Sequence, residues 1–216
     1  MKIGIVGGTG NIGEGLALRL SNKHEIIIGS RTPEKACESI ENTVRLLEER
    51  GISCSCIGSS NQEAVDRGDI VIISVPYKHL LPTLTPLSGF ENKTVITPVN
   101  PMTKKDFFSH DPPKEGSAAM LIRSILPGNA CIVAAFNNIS AQKWKNLDEE
   151  LDYSVAVCSD DEEAKKVVMN LVNEIPKLKA FNAGPLEMAS VVEGITPLLL
   201  NIARYNKMRD VGIQFK

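Results

Sequence analysis

The chain has 216 residues, 43% of them hydrophobic, enough to bury a sizeable core in one large domain or two small ones. Its 24 basic and 26 acidic residues leave a formal charge of −2, so no global field favours nucleic acid or an anionic membrane surface. Five cysteines without a C-x-x-C pair and three scattered histidines argue against a disulfide framework and a metal centre, and they fit a reducing cytoplasm.

From the N-terminus, short apolar runs alternate with longer segments of helical period. KIGIV (2–6) predicts a strand, and IGEGLALRLS a helix with Ile12, Leu16 and Leu20 on one stripe. EIIIG (25–29) predicts the second strand, and PEKACESIENTVRLLEERG a charged amphipathic helix that closes near Gly51. Five more runs read as strands: ISCSCIG (52–58), DIVIISV (69–75), TVITPV (94–99), ACIVAAF (130–136) and YSVAVCS (153–159). Several are apolar throughout rather than alternating, as strands covered on both faces should be.

Residues 100–116, NPMTKKDFFSHDPPKEG, lack a period and are expected to form a long surface loop. DDEEAKKVVMNLVNEI carries acidic residues in its first turn and a stripe through Val167, Val168, Leu171 and Val172, which predicts a helix flanking the sheet. After FNAGP the chain turns long and apolar, a separate helical element in which Thr196-Pro197 should break or kink the helix. Such a helix is expected to be buried within the subunit or against a second copy. No run of about 18 apolar residues occurs, so neither a membrane span nor an export signal is expected.

This alternation is that of crossover units. The expected fold class is α/β: a Rossmann-type, doubly wound, mainly parallel sheet with a small helical C-terminal part. Residues 1–182 would form a nucleotide-binding domain and residues 183–216 the helical element.

Gly8-Thr9-Gly10-Asn11-Ile12-Gly13 is a G-x-G-x-x-G at the first strand-to-helix turn, where a dinucleotide fingerprint belongs. Without Cβ atoms at Gly8 and Gly10 the backbone can approach a pyrophosphate, whose charge the helix N-terminus meets. The competing reading is a structural glycine turn. An NAD-binding fold places an acidic residue near the end of the second strand, but here that place holds Ser30-Arg31, with Lys35 four residues on. Hydroxyl, guanidinium and ammonium together suit the 2′-phosphate of NADP. A solvated helix start would carry the same residues. Thr9 adds its hydroxyl to the phosphate or merely occupies a turn.

Ligands of this fold bind beyond the carboxyl ends of the strands, which singles out SVPYKH (74–79), TPVNPM (97–102) and AAFNNISA (134–141). Tyr77 and His79 are candidates to line a cofactor there, although an aromatic and a His in a first helical turn also serve as packing and capping residues; Ala135 and Asn137 stand in the last of these stretches. No Ser/His/Asp arrangement, metal set or acid–base pair stands out. That is natural where hydride passes between two redox cofactors held face to face, since positioning then does most of the catalysis.

GGTGNIGEGLALRL, GSRTPEKA, AAFNNISA and EGITPLLLNI together resemble the archaeal NADPH-dependent reductases of the deazaflavin coenzyme F420, over essentially the whole chain. The first two motifs are shared with a wider NADP-binding superfamily that includes the cytosolic domain of membrane ferric reductases; the last two are more specific. The resemblance implies a homodimer acting on small-molecule redox cofactors, and the cysteines place it in the cytoplasm. It also implies reversible, direct hydride transfer between nicotinamide C4 of NADP(H) and deazaflavin C5 of F420, with no catalytic side chain and no metal. Thr9, Gly10, Asn11 and Ile12 match the family's pyrophosphate loop, and Ser30, Arg31 and Lys35 its 2′-phosphate site. Val75, Tyr77 and His79 match a second NADP-contacting turn, Met102 the loop beside the nicotinamide, and Val211 a position that helps hold the deazaflavin. Two other readings stay open on the residues: an NADPH-dependent flavin or ferric reductase, and an NADP-sensing module without turnover.

Overall fold

The structure is a computed structural model that describes residues 1–209 and 211–216. Six parallel strands form the central sheet, in the order β3-β2-β1-β4-β5-β8: β1 (Lys2–Val6), β2 (Glu25–Ser30), β3 (Ser55–Ser60), β4 (Ile70–Ile73), β5 (Thr94–Thr97) and β8 (Cys131–Ala134). The order reverses between β1 and β4, which opens a crevice at the carboxyl ends of these two strands. Alternate residues of one strand serve two cores. Ile3 and Ile5 of β1 meet Leu16 and Leu20 of α1 (Asn11–Leu20), whereas Val6 joins Val65 of α3 (Asn61–Arg67) and Leu80 and Leu84 of α4 (Leu80–Leu84). Helices therefore cover both faces, which accounts for the unbroken apolar runs.

The charged helix forms as α2 (Pro33–Glu48). Gly51, at φ 69°, turns the chain, and the Ile52 N–H bonds back to Leu47 O at 2.9 Å. That C-terminal motif takes Ile52 out of the third strand, which starts at Ser55 rather than at Ile52. Beyond β8, β9 (Ser154–Val157) and β10 (Lys179–Asn182) pair in parallel as a second sheet. A single antiparallel bridge, Ala134 to Cys158, joins them to the main one. Strand β10 is short and largely exposed, so its sequence carries no apolar run to announce it. Between β9 and β10, α7 (Glu162–Asn173) buries Val168, Leu171 and Val172.

One expectation is corrected outright, and of the break or kink expected at Pro197 the break does not occur. The segment 100–116 is not a plain loop: β6 (Met102–Lys104) and β7 (Phe108–His110) pair in it as an antiparallel hairpin, followed by α5 (Ala118–Ile125). Its strands are too short for a period-2 signal and are held by tertiary contacts. The C-terminal helix α8 (Ala189–Tyr205) runs unbroken through the buried Pro197. Hydrogen bonds from Thr196, Asn201 and Glu193 to the body of the protein hold it on both sides of the proline and override the local penalty. By length and composition alone, Leu186–Tyr205 is apolar enough to cross a membrane; Glu193, with both carboxylate oxygens hydrogen-bonded, lies inside it.

Candidate functional site

The turn from β1 to α1 is shaped by its glycines, each with a different task. Gly7 sits at φ 70°, and its N–H donates to Asn61 Oδ1 at 3.0 Å. Gly8 is buried; a Cβ there would stand 2.9 Å from Ile5 O, so its missing side chain serves packing more than ligand approach. Gly13 lies against Gly8, where a Cβ would come to 2.5 Å of backbone. Gly10 alone is open, with its nearest neighbour 3.6 Å from a notional Cβ. It caps α1 without a side-chain hydrogen bond, so the first-turn amides of the helix are left to an anionic ligand.

Beside this turn, the Gly8 N–H donates to Gly29 O at 2.9 Å and ties the glycine loop to the end of β2. Ser30 is buried there, its Oγ accepting from the Thr32 N–H at 3.2 Å. Arg31 and Lys35 are exposed, and neither forms an ion pair among the described residues. No carboxylate occupies the place that would meet a ribose 2′-hydroxyl. The arrangement is a cationic shelf next to an uncapped helix N-terminus, which suits a phosphorylated ribose.

A cleft of 540 Å³ opens at the carboxyl ends of β1, β4 and β5. Its floor is the glycine turn, through Gly10, Asn11 and Ile12. One wall is Val75 to Lys78, another Pro98 to Asn100, and the hairpin adds Met102 and Thr103. Burial raises the Tyr77 hydroxyl pKa, helped by the negative charges of Asp111, Glu115 and Glu193, so Tyr77 stays a neutral phenol. Two buried polar atoms near this cleft, Ser74 Oγ and Asn137 Oδ1, have no hydrogen-bond partner among the described residues.

The Asn137 loop is unusual in its backbone. Phe136 adopts φ 66°, a left-handed conformation that costs a non-glycine residue about 1–2 kcal/mol. The turn carries Asn137 beneath Val99 and Asn100: Asn137 Nδ2 donates to Val99 O and Asn100 Oδ1, while Asn100 Nδ2 and Thr196 Oγ1 both donate to Asn137 O.

Of the residues singled out from the sequence, the structure brings Gly10, Asn11, Ile12, Val75, Tyr77 and Met102 together on the cleft, with Gly8 and Thr9 in the same turn and Ser30, Arg31 and Lys35 beside it. His79 is half-buried in the helical turn after Tyr77 and does not line the cleft, and Ala135 is enclosed in the core. Val211 belongs to a tail whose Ile213 O accepts from Ser154 N–H; Ser154 O in turn accepts from Asn138 Nδ2, so the tail lies one layer behind the loop. Ser74, Pro98, Asn100, Asp111 and Ala141 also line the cleft. The strand-end stretches 74–79, 97–102 and 134–141 contain all of these but Asp111, which nothing local marks. Among the described residues, no group of three His, Cys, Asp or Glu side chains is placed to hold a metal ion.

Known proteins share this architecture and its length. The sequence profile of the family described as "NADP oxidoreductase coenzyme F420-dependent" matches residues 2–101. The F420-dependent NADP reductase of Methanocaldococcus jannaschii is 39% identical, over 99% of this chain and 97% of its own. That of Methanothermobacter thermautotrophicus is 34% identical, over 99% and 94%. Among solved structures, an Arthrobacter sp. FB24 protein with a proposed identity of F420-dependent NADP reductase superposes with a TM-score of 0.82, covering 100% of this chain and 99% of that one at 19% identity. The match runs along nearly the whole length of the chain and of these relatives, and this chain belongs to the F420-dependent NADP reductase family.

Proposed function

We propose that the protein is an oxidoreductase that passes hydride reversibly between NADP(H) and coenzyme F420. The observation that carries the reading is the pairing of an uncapped α1 N-terminus with a cationic shelf at the end of β2, in a chain related along its whole length to F420-dependent NADP reductases. The first-turn amides of α1 would hold the pyrophosphate, and Ser30, Arg31 and Lys35 the 2′-phosphate. Val75, Tyr77 and Met102 would flank the nicotinamide, with Asn137 beneath it. When bound, NADPH supplies a hydride from nicotinamide C4, deazaflavin C5 accepts it, and one proton comes from solvent. The protein's own work is to orient two flat rings and keep water from between them, so no catalytic side chain is required.

An anaerobic assay with NADPH and oxidised F420, followed by the deazaflavin's visible absorption, tests this directly. Bleaching with NADPH and little with NADH or FMN is expected. Reduction of FMN with oxygen consumption would replace the reading by a flavin reductase; saturable NADPH binding with no acceptor reduced would replace it by a sensor.

We further infer a homodimer in the cytoplasm. Met188, just before α8, and Val191, Ile195, Leu198, Ile202 and Tyr205 along it recur at spacings of three and four, and Val191 and Leu198 are 61% and 55% exposed, a stripe suited to a second copy. Five free cysteines suit a reducing compartment. Residues 1–182 and 183–216 then divide into a nucleotide-binding domain and a helical element that serves both the stripe and the cleft.

A further inference from the structure

The β6–β7 hairpin supplies Met102 and Thr103 to the cleft, and Asp111 follows it directly. A ribbon of two three-residue strands does not hold its shape alone. Its support is α8. Asn201 pairs with β7 as a neighbouring strand would: Oδ1 accepts from the Phe108 N–H at 2.9 Å, and Nδ2 donates to Phe108 O at 2.7 Å. Arg204 donates to the Asp106 carbonyl at the hairpin's tip. Two turns before Asn201, the fully buried Glu193 accepts from the Ala118 and Ala119 N–H groups at 2.8 and 3.0 Å, and so caps α5 from outside. The same carboxylate lies 3.9 Å from Nε2 of His110, the last residue of β7, whose Nε2 has no hydrogen-bond partner among the described residues. None of these α8 side chains lines the cleft, yet its outer wall hangs on them.

We infer that Glu193 and Asn201 are positioning residues for the second ligand, the deazaflavin. By seating the 102–110 hairpin on α8 they set one wall of the cleft, whereas the pyrophosphate and 2′-phosphate of NADP(H) are held on the far side by α1 and the end of β2, and only its nicotinamide reaches Met102. This rests on the reaction proposed above and adds to it which ligand the C-terminal helix serves. Glu193 faces His110 from β7, the amides of α5, Tyr77 from the turn after β4, and Cys158 at the end of β9. Burial raises its carboxyl to about 7, against the pull of the two α5 amides, while burial lowers His110 despite Asp111. In the neutral range Glu193 therefore changes charge beside a neutral imidazole, and the seating of the hairpin responds to pH.

The test uses full-length Asn201→Leu, Asn201→Asp and Glu193→Gln. Asn201→Asp keeps the acceptor for Phe108 N–H while setting a carboxylate against Phe108 O, and so serves if the leucine variant does not fold. For Asn201→Leu, KM for F420 is expected to rise about tenfold with a smaller change in kcat, and amides of 102–110 to exchange about tenfold faster by hydrogen exchange. The dissociation constant of NADPH, whose phosphates are held elsewhere, should rise by no more than about twofold, and the exchange of residues 7–15 should stay unchanged. Glu193→Gln should flatten the pH profile of the F420 KM between about 6 and 8. Parallel weakening of NADPH and F420, or faster hairpin exchange with an unchanged F420 KM, would overturn the inference alone. Failure of the wild-type protein to reduce F420 would instead overturn the reaction reading and, with it, the ligand named here.

Discussion

The Trp144 ring stands edge-on to Phe136, centroids 5.5 Å apart and planes at 73°, and so packs the residue whose φ of 66° turns the chain toward Asn137. Both rings are fully buried. Trp144→Ala removes this support and leaves a large cavity. A loss of about 3–5 kcal/mol in urea unfolding is expected. A loss below about 1 kcal/mol would mean that the Phe136 turn is held by other contacts.

The glycines of the β1–α1 turn separate folding from binding. Gly10→Ala meets nothing closer than 3.6 Å and should change stability by only a few tenths of a kcal/mol to about 1 kcal/mol, while its methyl group would stand where the proposed pyrophosphate would approach. Gly13→Ala puts a Cβ 2.5 Å from the Gly8 backbone and should destabilise the protein itself by about 2 kcal/mol or more. Thermal unfolding and NADPH titration of both variants check the contrast; unimpaired NADPH binding by Gly10→Ala would remove Gly10 from the phosphate site.

Arg31 decides cofactor choice if the shelf beside Ser30 holds a 2′-phosphate. Arg31→Ala should weaken NADPH by roughly ten- to a hundredfold and leave NADH nearly unchanged, measured by titration calorimetry at fixed salt. Equal losses for both dinucleotides would move the 2′-phosphate elsewhere.

Glu193 should leave a mark on stability as well as on the hairpin. Its carboxyl pKa is about 7 in the folded protein, raised by burial from an ordinary 4.5, so the folded state binds more protons than the unfolded state between those values. Stability on its account is therefore greatest below about 4.5 and falls as pH rises to about 7, by about 3 kcal/mol in all. Glu193→Gln should flatten this slope, so that its stability relative to wild type improves from pH 5 to pH 8. Parallel urea curves at each pH would show that Glu193 is ionised throughout.

Leu198→Glu places a charge in the middle of the exposed α8 stripe. Sedimentation velocity at micromolar concentration should show a dimer for the wild type and a folded monomer for the variant. A wild-type monomer would leave the stripe without its inferred partner and the cleft unaffected.

Much of the candidate site's placement was legible in the sequence because it is local. A glycine-rich turn after an apolar strand, and Ser30, Arg31 and Lys35 across one strand-to-helix turn, acquire their geometry from neighbours along the chain, where backbone sterics and helix periodicity suffice. The apolar strands announced themselves for a related reason: burial on both faces leaves no polar alternation to confuse them. Other features were decided by the tertiary structure alone. Asn100 and Asn137 meet across 37 residues and Thr196 reaches Asn137 across 59, so no local preference encodes their contact. Pro197 remains helical and the β6–β7 hairpin holds its shape because hydrogen bonds from distant residues outweigh what each segment prefers by itself. The buried charge of Glu193 belongs to the same class, since a glutamate in an apolar helix reads as a surface residue until the amides of α5 close around it.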